Sequence, residues 1–154
     1  MDAAGHDGQV DFAFGARDRL RTACQIARKR YLEGSRLVVY CSDSARLTAF
    51  DRLLWSFDDT SFIPHVLADD PLVADTPVVL TAGSPQAARE AMGPQAEPWL
   101  LNLDDACPPD CEAFARIMEV VSDDPLERQL ARQRWRAYQA QGRRLQAHDL
   151  SRRA

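Results

Sequence analysis

The run Leu37-Val38-Val39-Tyr40-Cys41 constrains this chain more than any other stretch. Consecutive apolar residues, mostly β-branched or aromatic, leave no polar face, so they describe a strand covered on both sides. That is the condition of a parallel sheet packed between crossover helices. Similar short runs recur at Val78-Val79-Leu80, Trp99 to Leu103 and Arg116 to Val121, and Val10 to Phe14 alternates at period 2 as a first strand. Helical signals stand between them. From Asp18, the residues Leu20, Ala23, Cys24, Ala27 and Tyr31 follow a helical stripe that Gly34 closes. Ser42-Asp43-Ser44 caps a second helix with Leu47, Phe50, Leu53 and Leu54 on its stripe, ending near Trp55. A loop carries Phe62-Ile63-Pro64-His65 and leads on to Val78. Gly83 to Pro98 has no assignable pattern, and Cys111 to Phe114 can make a turn or two of helix. The order predicts a three-layer, Rossmann-like α/β fold with a mainly parallel sheet and a long C-terminal helix. One domain spans 1–154, a length able to bury its own core, with 1–9 and 151–154 expected to fray.

The last helix is read as one amphipathic stretch from Asp124 to Leu150, entered through Ser122-Asp123-Asp124-Pro125. At 100° per residue, Leu126, Leu130, Gln133, Ala137 and Gln141 share one face, with Arg134 at its edge, and this is the face expected to dock. Arg128, Arg132, Trp135, Arg136 and Gln139 share the other. Like charges at successive i, i+4 positions cost a helix about 0.2–0.5 kcal/mol per pair. Such a strip is either a solvated face or a receptor for an anionic, aromatic ligand.

Charge narrows the choice of partner. Residues 1–125 carry 11 basic and 21 acidic side chains, net −10, whereas 126–154 carry 8 Arg against Glu127 and Asp149, net +6. So acidic a body disfavours general nucleic-acid affinity, while a local strip of Arg suits a short acidic partner. No apolar run is long enough to span a bilayer, and Met1 to Gly8 has no signal-peptide pattern. Cys24, Cys41, Cys107 and Cys111 are too scattered for a disulfide framework and read as reduced thiols, and no zinc ligand set accompanies the Cys107–Cys111 spacing. Neither a Gly-rich dinucleotide fingerprint nor a phosphate loop is present. The pairs Asp58-Asp59, Asp69-Asp70, Asp104-Asp105 and Asp123-Asp124 read as solvated turns rather than metal ligands, and His65 as a structural histidine rather than a base. No catalytic residue, metal or cofactor is therefore assigned. Trp55, Phe62 and Pro64 are either core or an exposed patch for a partner.

Arg28 to Gly34, Arg36 to Cys41, Leu53-Leu54-Trp55, Ser61-Phe62-Ile63-Pro64-His65 and Arg128-Gln129-Leu130-Ala131-Arg132-x-Arg134-Trp135-x-Ala137-Tyr138 resemble the chi subunit of bacterial DNA polymerase III holoenzyme. The match keeps register from about Val10 to Gly142. The Leu-Trp followed by Ser-Phe-x-Pro-His, with the Gln-Leu-Ala-Arg helix, is its specific part. The resemblance implies a non-catalytic, cytoplasmic accessory of the clamp loader that bridges it to single-stranded DNA-binding protein and meets DNA only indirectly. It implies that Arg128, Arg132 and Arg136 take the acidic C-terminal tail of that protein while Trp135 and Val121 receive its terminal Phe ring. It implies that Trp55, Phe62 and Pro64 dock a psi subunit of the clamp loader or an alternative helicase partner. Gln139 departs from a basic position of the family, and Trp135 from a familiar Tyr. Two other function classes compete: a small α/β phosphate-processing enzyme acting through the Asp pairs, and a direct nucleic-acid binder using the Arg face.

Overall fold

The computed structural model describes residues 8–60 and 62–151. In chain order the regular elements are β1 (Gln9–Ala16), α1 (Arg19–Leu32), β2 (Leu37–Tyr40), α2 (Ser44–Ser56), β3 (His65–Leu67), β4 (Val78–Thr81), α3 (Pro85–Met92), β5 (Trp99–Asn102), β6 (Arg116–Ser122), α4 (Pro125–Ala140) and β7 (Arg144–Asp149). Short 3-10 turns lie at Val73–Asp75 and Cys111–Ala113. The strands form one parallel sheet in the order β3-β4-β2-β5-β6-β1-β7. Leu37, Val39, Leu80 and Leu101 face α1 and α2, where they meet Ala23, Ala27, Leu47 and Phe50. Val38, Val79, Leu100 and Ile117 face the other way, toward Ala88, Met92, Ala131 and Tyr138 of α3 and α4. β2 and β4 are buried on both faces, as their unbroken apolar runs require.

Helix starts follow the capping signals. Asp18 accepts from Arg21 N, Asp43 from Ala45 N and Arg46 N, and Asp124 from Glu127 N. Ser84 caps α3, whose first turn holds Pro85, inside the stretch that had no assignable pattern. Gly34 ends α1 with φ +85°, a conformation that costs a residue without Cβ nothing.

Three expectations need correction. The first strand begins at Gln9, which pairs with Arg116 and Arg144, so 8–9 are ordered; residues 1–7 and 152–154 of the expected frayed ends lie outside those described, and Ser151 N donates to Asp149 Oδ1 at 2.9 Å. His65–Leu67 is a strand rather than loop. The last helix stops at Ala140, not Leu150. Gly142 turns out with φ +80°, Arg144 N reaches Gly8 O at 2.9 Å, and residues 144–149 join the sheet beside β1. The amphipathic wheel hid this strand because Leu145 and Ala147 alternate with polar residues over only one short run.

The docking face of α4 is also not the expected one. Leu126 is 63% exposed, and Gln133, Ala137 and Gln141 are exposed too, while Ala131, Arg134 and Tyr138 are buried. Beneath them lies Glu119 of β6, fully buried. Its carboxylate accepts from Arg134 Nε at 2.9 Å, Tyr138 Oη at 2.7 Å and Asn102 Nδ2 at 2.8 Å. A second Arg134 nitrogen donates to Asp105 O at 2.9 Å. Burial, with Glu119 beside it, holds the Tyr138 phenol well above its usual pKa, so it stays a donor. A charge taken out of water must be fully paired, so these side chains form one unit. Glu119→Ala would strand the Arg134 guanidinium and should lower unfolding free energy by about 3–5 kcal/mol in urea titration. Leu126→Ala, at an exposed site, should change it by less than about 0.5 kcal/mol. A loss below about 1 kcal/mol for Glu119→Ala would show that α4 docks through its apolar contacts instead.

Candidate functional site

α4 returns from the C-terminal edge of β6 to the start of β7, passing over β1. It leaves β7 largely uncovered at the sheet edge, where Leu145 alone of the strand packs against the core. Between the helix and this edge runs a groove of about 540 Å³. Arg128, Arg132, Trp135 and Arg136 form one wall, Phe12, Phe14 and Val121 the floor, and Ala147 and Asp149 the far side. Trp135 is half-buried and rests on Phe12, ring centroids 5.0 Å apart at 55°, and Phe12 meets Tyr138 edge-on at 6.0 Å. Arg128, Arg132 and Arg136 are exposed and have no ion-pair partner among the described residues. The helix residues Arg128, Arg132, Trp135 and Arg136 are thus brought to one cavity with Val121 of β6, whereas Gln139, nominated for the same helix face, does not line it. Val121 is 5% exposed and contributes only a sliver of floor. Chemically the groove combines fixed positive charge with an aromatic bed in a partly desolvated cleft, a combination suited to a carboxylate-bearing aromatic ligand.

Trp55, Phe62 and Pro64 lie at the opposite end of the sheet, beside β3. Trp55 is 49% and Phe62 66% exposed, their rings 5.5 Å apart, and Pro64 is half-buried. Trp55 also stacks on buried His65 at 4.1 Å. His65 Nδ1 lies 2.7 Å from Ile63 O, and its buried Nε2 lies 2.9 Å from Asp51 Oδ1 without hydrogen-bond geometry. Ser61 of the same motif lies outside the described residues.

The family described as DNA polymerase III chi subunit, HolC, matches residues 8–146. The chain belongs to this chi family. It is 37% identical over 134 residues to the DNA polymerase III subunit chi of Pseudomonas aeruginosa, covering 87% of this chain and 88% of that one. The subunit chi of Escherichia coli is 28% identical over 119 residues, covering 77% of each. That of Haemophilus influenzae is 26% identical over 121 residues, covering 78% of this chain and 79% of the other.

In this chi-family chain at least one member of each Asp pair is held by another group of the protein. Asp58 accepts from Thr60, Asp70 from Leu72 N and Asp104 from Ser42, Asp105 pairs with Arg46 at 3.1 Å, and Asp124 caps α4. No group of three or more metal-ligating side chains occurs among the described residues, and no helix there is long and apolar enough to cross a membrane. All four cysteines are free thiols. Burial pushes Cys24 up to about 12, aided by Asp18, and Cys107 up to about 11, aided by Glu119; Cys41 and Cys111 are raised by burial too. Thiolate is the reactive form, so native protein at pH 8 should react with a thiol reagent on the order of 100-fold more slowly than protein unfolded in guanidinium. Rapid labelling of the native state would reveal an activated cysteine that this geometry does not contain.

Among the groove residues that the sequence reading missed are Phe12, Phe14, Ala147 and Asp149. Phe12 and Phe14 carried a signal, being two aromatics on one face of a period-2 strand, but which face met α4 became visible only in three dimensions.

Proposed function

We propose that this protein is a non-catalytic, cytoplasmic replication adaptor that links the DNA polymerase III clamp loader to single-stranded DNA-binding protein by holding its acidic C-terminal tail. The observation that carries the reading is the coincidence, in one groove, of three Arg side chains that have no ion-pair partner among the described residues with the Trp135–Phe12 aromatic bed. An acidic peptide ending in Phe supplies both complements. Guanidinium groups take its carboxylates in charge-assisted bonds, and its ring enters the apolar floor at Val121 and Trp135. DNA is then reached through the partner, in keeping with the acidic body. The exposed Trp55–Phe62 pair, with Pro64, is the docking patch for a psi subunit or an alternative helicase partner, and its distance from the groove lets both contacts form together.

Calorimetric titration with the tail peptide tests the first contact. Wild type should bind, more weakly as salt rises. Arg132→Ala, the middle of the trio, should weaken binding about tenfold or more, and Trp135→Ala comparably. Removing the terminal Phe from the peptide should be as damaging as either variant. Equal affinity across all three proteins, or indifference to the missing Phe, would mean that the Arg strip is merely solvated. For the second contact, Trp55→Ser should leave folding and tail binding intact while abolishing co-purification of the clamp-loader partner from native extract. Unfolding of that variant would make Trp55 a core residue and defeat the assignment.

A further inference from the structure

We propose that a cleft on the α1 side of the sheet, between α1 and the open faces of β6, β1 and β7, is an anion site that holds the phosphate monoester group of a small, nucleotide-sized ligand. Side chains alternate along a strand, so Asp11 and Ala13 of β1 line this cleft while Phe12 and Phe14 line the groove on the opposite face. The site is therefore separate from the groove and independent of what occupies it.

The cleft measures about 300 Å³, which is at the lower end of sites that enclose a small organic molecule. Three cations line it, Lys29 and Arg30 from α1 and Arg116 from β6. Their charge is only partly answered. Glu33 meets one terminal nitrogen of Arg30 at 3.0 Å, and Asp11 one terminal nitrogen of Arg116 at 3.3 Å. Lys29 is exposed and has no ion-pair partner among the described residues. Glu119, also at the cleft, is fully buried and already bonded to three donors.

Two observations point to an anion. The guanidinium carbons of Arg30 and Arg116 stand 4.5 and 4.2 Å from the centre of the Trp99 ring, so one ring holds two like charges beside each other. Such convergence is unfavourable, and an anion within reach of both offsets it. Moreover, of the three buried side-chain polar atoms that lack a hydrogen-bond partner among the described residues, two are Arg30 Nε and Arg116 Nε. Buried donors are nearly always satisfied, and an oxyanion in the cleft supplies the acceptors. A carboxylate offers two oxygens in one plane and is matched by a single guanidinium fork. Two forks and an ammonium group, carried on two elements, suit instead the three oxygens and nearly double charge of a phosphate monoester. Ala13 and Ile26 give the rest of the cleft an apolar wall for the organic part of the ligand.

The test is calorimetric titration of the protein with adenosine 5′-monophosphate, inorganic phosphate and adenosine at constant ionic strength. Wild type should bind the monophosphate, bind inorganic phosphate about tenfold more weakly, and show no heat with adenosine. Arg30→Gln and Arg116→Gln should each weaken monophosphate binding about tenfold. Arg116→Lys, which keeps the charge and loses the fork, should weaken it severalfold, whereas Arg132→Ala, in the groove, should leave it unchanged. The monophosphate should also raise the unfolding temperature of wild type and Arg132→Ala but not of Arg30→Gln, each compared with its own ligand-free state, which separates lost binding from lost folding. Loss of binding in Arg132→Ala would put the anion in the groove and overturn the inference. So would adenosine that binds as tightly as its monophosphate, or wild type that binds neither monophosphate nor phosphate. A 5′-phosphorylated oligonucleotide that binds where the mononucleotide does not would overturn the assignment to a small ligand.

Discussion

The carboxylate of Glu119 is the constraint on which the functional surface depends. It is an acid without solvent contact in the middle of a parallel sheet, and three donors converge on it from two different elements: Asn102 on β5 and Arg134 and Tyr138 on α4. The helix supplies two of these donors one turn apart, so its rotation about its own axis is fixed to within the tolerance of a hydrogen bond. An apolar stripe in their place would bury comparable area but permit small slips, because packing of similar side chains is less directional than charge-assisted bonding. With Arg134 and Tyr138 turned inward, Arg128, Arg132 and Arg136 must point along the groove, and Trp135 must lie against Phe12. The inward and outward arginines of this helix are thus two consequences of one rotation.

That rotation also explains why a groove exists at all. Had the apolar face of Leu126, Leu130 and Ala137 docked, the helix would have brought its bulk down without the polar pillar of Arg134. Instead α4 stands over β6 and β1, and β7 is added beyond it as an edge strand with little cover. Asp11 helps to hold that edge. Burial opposes its ionisation, but hydrogen bonds with His148 of β7, Gln9 and Arg116 outweigh it and keep the carboxyl below its usual pKa. A carboxylate with depressed pKa contributes stability above its unfolded pKa and loses it as pH falls through the folded one. The far side of the groove is therefore tied down at neutral pH and is loosened only in acid.

Much of the layered architecture was legible in the residues, because unbroken apolar runs such as Leu37 to Cys41 can be satisfied only between two helical layers. Capping residues marked helix starts with similar clarity. The errors share a cause. Hydrophobic periodicity treats Arg and Tyr as surface, so it could not see that Arg134 and Tyr138 are buried through a partner more than a dozen residues away in sequence. It also ran the helix through Gly142 to Leu150, since a six-residue strand with one half-buried side chain leaves almost no periodic trace. The grouping of Arg128, Arg132, Trp135 and Arg136 does not depend on which side of the helix docks. Arg128, Arg132, Trp135 and Arg136 remain neighbours under any rotation of the helix, whereas Phe12 and Phe14 join them only once the sheet order is known.

The two surfaces differ in the physics by which each would hold a partner on the proposed reading. At the β7 end, fixed positive charge on an otherwise acidic molecule attracts an anionic peptide over a distance of about a Debye length, roughly 8–10 Å at physiological salt. At the β3 end, the Trp55–Phe62 pair offers apolar area that acts only on contact and is nearly indifferent to salt. On the proposed reading, the first contact forms and exchanges quickly under electrostatic steering, whereas the second dissociates slowly because separating two apolar faces must rehydrate both. An adaptor built this way stays with the machine at its apolar end while its charged end changes hands. On that reading the full width of the seven-strand sheet separates the two contacts.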